Sequence, residues 1–259
     1  MLSTLNEVIG RITAPDEKSS LQAVHRLNIL TKPPGSLGQL EALAVRLAGI
    51  SGTEKPFYTQ RAVVVMAADH GVCSEGVSAF PQEVTIQMAH NFLSGGAAVN
   101  VLARQGHAEV KFVDIGINGE LSHPELIARK VRMGTDNMAV GPAMSRDDAL
   151  QALLVGVKVA EEAVQSGTEL FITGEMGIGN TTASAAILCA LGDVSPEVAV
   201  GRGTGINDDQ LRNKIRVVNQ ALDINQPNAA DPLDVLSKVG GLEIAGLAGL
   251  ILGASASRV

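Results

Sequence analysis

The sequence predicts an α/β fold built on a doubly wound parallel sheet, and three observations carry that prediction. Ala62-Val63-Val64-Val65-Met66-Ala67-Ala68 is a continuous apolar run of strand length, as expected of a strand covered on both faces. Comparable runs recur at Val110–Gly116 and Glu169–Gly174, separated by helical stretches at Pro81–Gln105 and Arg146–Ser166, and such alternation implies parallel strands joined by crossover helices. The composition agrees: 46% of the 259 residues are hydrophobic, yet there is no Trp, one Tyr and five Phe, so the core is built from Ala, Val, Leu, Ile and Met.

Taken in order, Leu21–Leu30 has helical periodicity that Thr31-Lys32-Pro33-Pro34-Gly35-Ser36 breaks, because neither proline nor the residue before it suits a helix interior. A second helix runs over Leu37–Ile50, with Leu40, Leu43, Ala44 and Leu47 on one face, and Gly49-Ile50-Ser51-Gly52 ends it. These two helices read as a small separate layer. Further helices are expected over Ala183–Ala190 and Gln210–Leu222, and Gly240–Ala256 reads as a buried helix. Ser51–Thr59 and Asn225–Asp231 read as linkers.

Each predicted strand ends in Gly, Asp, His or Glu instead of more aliphatics. Open α/β sheets bind ligands beyond the carboxyl ends of their strands. Asp69-His70-Gly71, Asp114-Ile115-Gly116 and Gly174-Glu175-Met176-Gly177 are therefore expected to converge on one crevice.

The strongest local motif is the third strand running into Gly174-Glu175-Met176-Gly177-Ile178-Gly179-Asn180-Thr181-Thr182 and an alanine-rich helix. Glycines let backbone N–H groups approach an anion, and the following helix N-terminus adds positive potential, so a phosphate is the natural guest. No Gly-Lys-Ser/Thr follows, and the spacing is not that of a dinucleotide fingerprint. A second loop, Gly201-Arg202-Gly203-Thr204-Gly205, precedes a helix carrying Arg212, Lys214 and Arg216. It suits a phosphate or ribose hydroxyls, and equally a plain helix cap by Asn207 or Asp208 with solvated basic residues beyond. Phe80, Met88 and Met176 lie where they would wall a flat aromatic ligand, although Met88 and Phe92 at i, i+4 also read as core packing. Asp69 and His70 are adjacent, would point opposite ways along a strand, and lack further ligands at metal-binding spacing, so no metal is expected; Cys73 reads as small apolar packing.

A net charge of −7 with no basic run argues against nucleic-acid binding. Two cysteines without C-x-x-C spacing fit a reducing cytoplasm, and neither a targeting peptide nor a membrane span is expected.

Lys32-Pro33-Pro34-Gly35-Ser36-Leu37-Gly38, Ala68-Asp69-His70-Gly71-Val72, Phe80-Pro81-Gln82-Glu83-Val84-Thr85, Gly141-Pro142-Ala143-Met144, the Gly174–Thr182 turn, Asn225-Gln226-Pro227 and Val239-Gly240-Gly241 occur in one order across the chain. Together they resemble the nicotinate-nucleotide:dimethylbenzimidazole phosphoribosyltransferase family, which makes the α-ribazole phosphate of the cobalamin lower ligand. The resemblance implies a cytoplasmic homodimer with a Rossmann-like sheet, a small helical domain from both chain ends and no cofactor. It divides the chain into residues 1–55, the N-terminal helical segment of the small domain, and 56–259, the nucleotide-binding domain. It places nicotinate mononucleotide on Gly174, Met176, Gly177, Gly179, Asn180, Thr181, Thr182, Gly201, Arg202, Gly203, Thr204, Gly205 and Lys214. Glu175 takes a supporting catalytic role, and Phe80, Pro81, Gln87, Met88 and Met176 line the dimethylbenzimidazole pocket.

One departure accompanies the match. Family members continue for roughly another hundred residues, a portion that carries the general-base glutamate in an Arg-Leu-Gly-Glu-Gly-type motif. This sequence stops at Ser257-Arg258-Val259, so the resemblance implies an incomplete chain. The alternatives are an impaired or non-catalytic nucleotide-binding form, or another N-glycosidic transferase or hydrolase.

Overall fold

The computed structural model describes residues 1–259. Helices α1 (Leu2–Arg11), α2 (Glu17–Ile29) and α3 (Gln39–Ser51) precede strand β1 (Arg61–Ala68), and a 3-10 turn at Gly71–Glu75 follows it. Helices α4 (Val84–Leu93) and α5 (Ala98–Gln105) lead to strands β2 (Ala108–Gly116) and β3 (Leu126–Ala128). Helix α6 (Arg146–Gln165) precedes strand β4 (Leu170–Met176), and α7 (Asn180–Gly192), α8 (Pro196–Ala199), α9 (Asp208–Asn225), α10 (Pro232–Val239) and α11 (Leu242–Ala256) complete the chain.

The four strands are parallel, in the order β3-β2-β1-β4. The expected doubly wound sheet is thus present. Chain direction across it reverses at β1, because β2 lies on one side of β1 and β4 on the other. Such a switch point opens a crevice at the strands' carboxyl ends. Register brings the expected exits together: Ala67 pairs with Asp114 and Met176, and Ala68 pairs with Gly116.

Both faces of β1 are covered, which explains its unbroken apolar run. Val64, Met66 and Ala68 face a core shared with α6 and α11, whereas Val63, Val65 and Ala67 face the side of α4 and α5. A third cluster joins α7, α9 and α10 through Ala186, Val217, Val218 and Val235. Helix α1 inserts Leu5 into the α6–α11 core, while α2 and α3 pack on one another.

Several elements depart from the sequence expectations. The stretch predicted as one helix from Pro81 to Gln105 is two, divided at Gly95, whose φ of +73° terminates a right-handed helix. The segment read as a linker, Asn225–Asp231, ends in a cap: Asp231 Oδ1 accepts the Leu233 and Asp234 amides and Pro232 opens α10. Strand β4 lies at a sheet edge, with Ile172 and Thr173 exposed in spite of its apolar run. Helices α1, α8 and α10 and the three-residue β3 have no counterpart in the sequence expectations. No helix is long and apolar enough to cross a membrane.

Helices α6 and α11 meet backbone to backbone. A Cβ at Gly156 would collide with the Gly246 carbonyl, and one at Gly249 with the Leu153 carbonyl. Gly156→Ala is therefore expected to lower stability by about 1–3 kcal/mol through overpacking. Gly10→Ala, on exposed α1 with no atom within 4 Å of a new Cβ, is expected to raise it by up to about 1 kcal/mol. Urea unfolding of both variants reads the opposite signs.

Candidate active site

The alternation of β1 continues past Ala68 and separates its two polar residues. Asp69 turns to the α4 side, where Oδ2 accepts the Asn118 amide at 2.8 Å. His70 turns to the α11 side, where Nε2 lies 2.8 Å from Glu243 Oε1. Both members of this ion pair are essentially inaccessible, at 1% and 0% exposure. Burial by itself would push the His70 pKa down, but the carboxylates of Glu243, Asp69 and Glu175 outweigh it and hold the imidazole above its ordinary value. Asp69 is itself held above the usual carboxylate range by burial, against the pull of the Asn118 amide.

Beside this floor, β4 delivers the glycine-rich turn. A Cβ at Gly177 would strike the Ala68 carbonyl, so only glycine lets the turn lie against the exit of β1. Gly179 caps α7 at φ +98°, in the left-handed region. The turn is braced from α4, because Thr85 Oγ1 accepts the Ile178 amide at 3.1 Å. Several of its amides are engaged locally: Asn180 N donates to the Gly177 carbonyl, Thr181 N to Asn180 Oδ1 and Thr182 N to the Gly179 carbonyl. Glu175 points to the α11 side and accepts from Asn180 Nδ2. Although the residue as a whole is exposed at the sheet edge, the protein packed around its carboxylate and the nearby Glu243 raise its pKa, while Asn180 and His70 oppose them.

Lys214 of α9 is set apart from the other cations. Only 2% of it is exposed, and its ammonium donates to Thr181 Oγ1 at 2.7 Å. It forms no ion pair, and burial lowers its pKa. A desolvated ammonium with a hydroxyl for company is poised for an incoming anion. The other basic residues near it are engaged: Arg202 with Asp208 and the Ile206 carbonyl, Arg212 with Asp209, Arg216 with Asn213 and Gln220.

The Gly201–Gly205 loop is exposed and approaches Lys214 at Gly203, where a Cβ would stand 3.3 Å from the ammonium and 3.2 Å from Thr181 Oγ1. Thr204 Oγ1 accepts the Ala79 amide at 3.2 Å and so ties this loop to the Phe80–Pro81 segment. Met176 points to the α4 side and packs against the cluster that includes Val65, Ala67 and Ala89. Phe80, Pro81 and Gln87 are exposed and Met88 half-buried, whereas Phe92 belongs to the core, stacked on Phe112 at 5.2 Å. The sequence expectations gave no part to Glu243; its signal was a lone carboxylate in an otherwise apolar and glycine-rich stretch.

Cutting His70 to Ala leaves Glu243 buried without a cation and is expected to cost about 3–5 kcal/mol in urea unfolding. Because folding raises the His70 pKa, its contribution is fully present below about pH 6.5 and is lost as pH rises through the folded-state value. Wild-type stability should therefore decline on the alkaline side, and His70→Gln should flatten that decline.

A family model described as phosphoribosyltransferase matches residues 12–259. The nicotinate-nucleotide–dimethylbenzimidazole phosphoribosyltransferase of Halalkalibacterium halodurans is 55% identical over 258 residues, spanning 100% of this chain and 72% of that protein. The enzyme of the same name from Geobacter sulfurreducens is 52% identical over 259 residues, again 100% of this chain and 74% of its own length. The crystal structure of CobT from Thermus thermophilus superposes with a TM-score of 0.89 at 48% identity, covering 93% of this chain and 73% of that one. The chain belongs to the nicotinate-nucleotide–dimethylbenzimidazole phosphoribosyltransferase family.

Proposed function

We propose that the crevice at the carboxyl ends of β1 and β4 holds nicotinate mononucleotide, with its phosphate on Lys214, Thr181 and the Gly177–Gly179 turn. The reaction is that of the family: phosphoribose passes from the nicotinate nucleotide to dimethylbenzimidazole, in assembly of the cobalamin lower ligand. The observation that carries the site assignment is the buried Lys214 ammonium, which has no counter-charge and lies close to the exposed Gly203. A phosphate dianion supplies what it lacks.

In this reading a neutral ring nitrogen of dimethylbenzimidazole attacks the anomeric carbon opposite nicotinate, forming the new C–N bond with inversion. The departing nicotinate keeps the bonding pair, which cancels the charge on its ring nitrogen. The attacking heterocycle sheds its ring proton to a base, and Glu175 supports the ribose and base region. Gly174, Asn180, Thr182 and the Gly201–Gly205 loop, with Arg202 and Thr204, complete the nucleotide site. Phe80, Pro81, Gln87, Met88 and Met176, on the α4 side, receive the benzimidazole. The placement of Met176 on that side supports this division. We also propose a homodimer working in the cytoplasm; the exposed Leu21, Ile29 and Leu40 of the α2–α3 hairpin support the former and the two free cysteines the latter.

Lys214→Met should raise the KM for nicotinate mononucleotide by roughly 10- to 100-fold, about 1.5–3 kcal/mol for a charge-assisted contact. It should barely change the KM for nicotinate riboside, which has no phosphate. Equal losses for both substrates would refute the phosphate assignment. Product chromatography checks the reaction: nicotinate must appear only when dimethylbenzimidazole is present, and release without it would indicate a hydrolase.

A further inference from the structure

The His70–Glu243 pair is a buried ionic group that no step of the transfer uses. Its surroundings connect it to the nucleotide turn. His70 lies between two glycines in close approach: a Cβ at Gly241 would stand 2.5 Å from Cε1, and one at Gly179, itself at φ +98°, would stand 3.2 Å from Cβ of the histidine. A Cβ at Gly177 would lie 3.4 Å from Cδ2. The imidazole thus fills the space between the start of α11 and the underside of the turn, and Gly179 is the residue from which α7 starts. Two residues further on, Thr181 holds the Lys214 ammonium.

The charges facing His70 are unbalanced. Glu243 bonds it from α11, and Asp69, just past β1 and turned to the other side, and Glu175 of β4 act on it through their charge alone, with Cys73 of the 3-10 turn beside Gly179 and Lys214 beyond Thr181. Glu243 Oε2 and Asp69 Oδ1 are buried with no hydrogen-bond partner. A neutral His70 would leave uncompensated carboxylate charge directly beneath a turn that receives a phosphate.

We propose that His70, held by Glu243, is a positioning residue for the phosphate-binding turn: the charged pair seats Gly177–Gly179, and loss of the His70 proton weakens binding of the phosphate monoester. The proposal rests on the nucleotide-site reading above. It differs from a merely structural role because it ties affinity to one proton.

Calorimetric titration of nicotinate mononucleotide from about pH 6.5 to about pH 9.5 tests it. In the wild-type chain the Kd should rise about tenfold or more in a step on the alkaline side. In Glu243→Gln the step should shrink and move to lower pH, since burial then opposes the charged imidazole with only Asp69 and Glu175 still favouring it. A second measurement needs no substitution in the core. Histidine-labelled protein gives five imidazole resonances, and replacing His25, His90, His107 and His123 in turn, none of them buried, assigns the remaining one to His70. By linkage, saturating nicotinate mononucleotide must move the His70 titration midpoint upward by about one pH unit or more for a tenfold affinity step. A midpoint that binding leaves unmoved, or identical pH profiles for wild type and Glu243→Gln, overturns the positioning role alone. No binding at a pH where His70 is charged overturns the nucleotide-site reading and this inference with it.

Discussion

A carboxylate placed inside an apolar helix face must find a cation or lose its charge, and Glu243 imposes that condition on the whole molecule. It stands in the first turn of α11, which packs on α6 and the sheet, and its cation is His70 at the exit of β1. Joining them fixes the start of α11 against the end of β1. That junction requires Gly241, because a side chain there would overlap both partners. The glycines further along α11 then let it lie against Leu153 and Ile115 with no intervening side chains. The buried ion pair thus ties the start of α11 to the exit of β1, against which the glycine-rich turn also packs.

The molecule treats its two buried cations in opposite ways. His70 is closed, paired with Glu243 and under the negative potential of Asp69 and Glu175, and is inaccessible. Lys214 is open, with a threonine hydroxyl and no carboxylate. A closed cation organises structure, whereas an open one is unfavourable until an anion arrives. Leaving Lys214 desolvated and uncompensated makes physical sense when its partner is supplied from outside. The surface arginines near it carry no such demand, since each already has an acceptor within its own loop or helix.

The sheet was legible because strands buried on both faces write themselves as unbroken aliphatic runs, as β1 does throughout and β2 in its carboxyl-terminal part. Strand β4 carries a similar run although Ile172 is 44% exposed, so the run located the strand without revealing that it sits at an edge. The meeting of the strand exits was legible because these runs end in Asp69, Asp114 and Glu175, and the parallel register sets those ends side by side. Strand β3 was not, since three partly exposed residues at an edge carry no periodicity. Helix α10 hid behind Pro232, which reads as a breaker although it is favoured in a first helical turn. The pairing of His70 with Glu243 spans 173 residues, and no local pattern encodes a contact at that separation. The isolation of Glu243 among apolar residues announced that a partner exists without saying which. For the glycine-rich turn, the residues suggested free amide donors, whereas much of that capacity closes on the turn itself and the unpaired charge sits on α9.

Strand alternation at the end of β1 gives the proposed chemistry its geometry. Asp69 and Met176 fall on the α4 side, His70 and Glu175 on the α11 side, because the backbone turns successive side chains to opposite faces. An inverting displacement at an anomeric carbon needs its nucleophile and leaving group on opposite sides of that carbon, so the acceptor base must approach the ribose from the face away from nicotinate. In the proposed assignment the α4 wall receives the flat aromatic acceptor and the α7–α9 wall grips the phosphate. The Thr204–Ala79 hydrogen bond links the two. A phosphate anchored on Lys214 then fixes the ribose at one end only, leaving the anomeric carbon exposed to attack from the α4 side. In that assignment the sheet is more than a platform: its switch point brings the α4 segment and the glycine-rich turn that leads into α7 to the same strand ends.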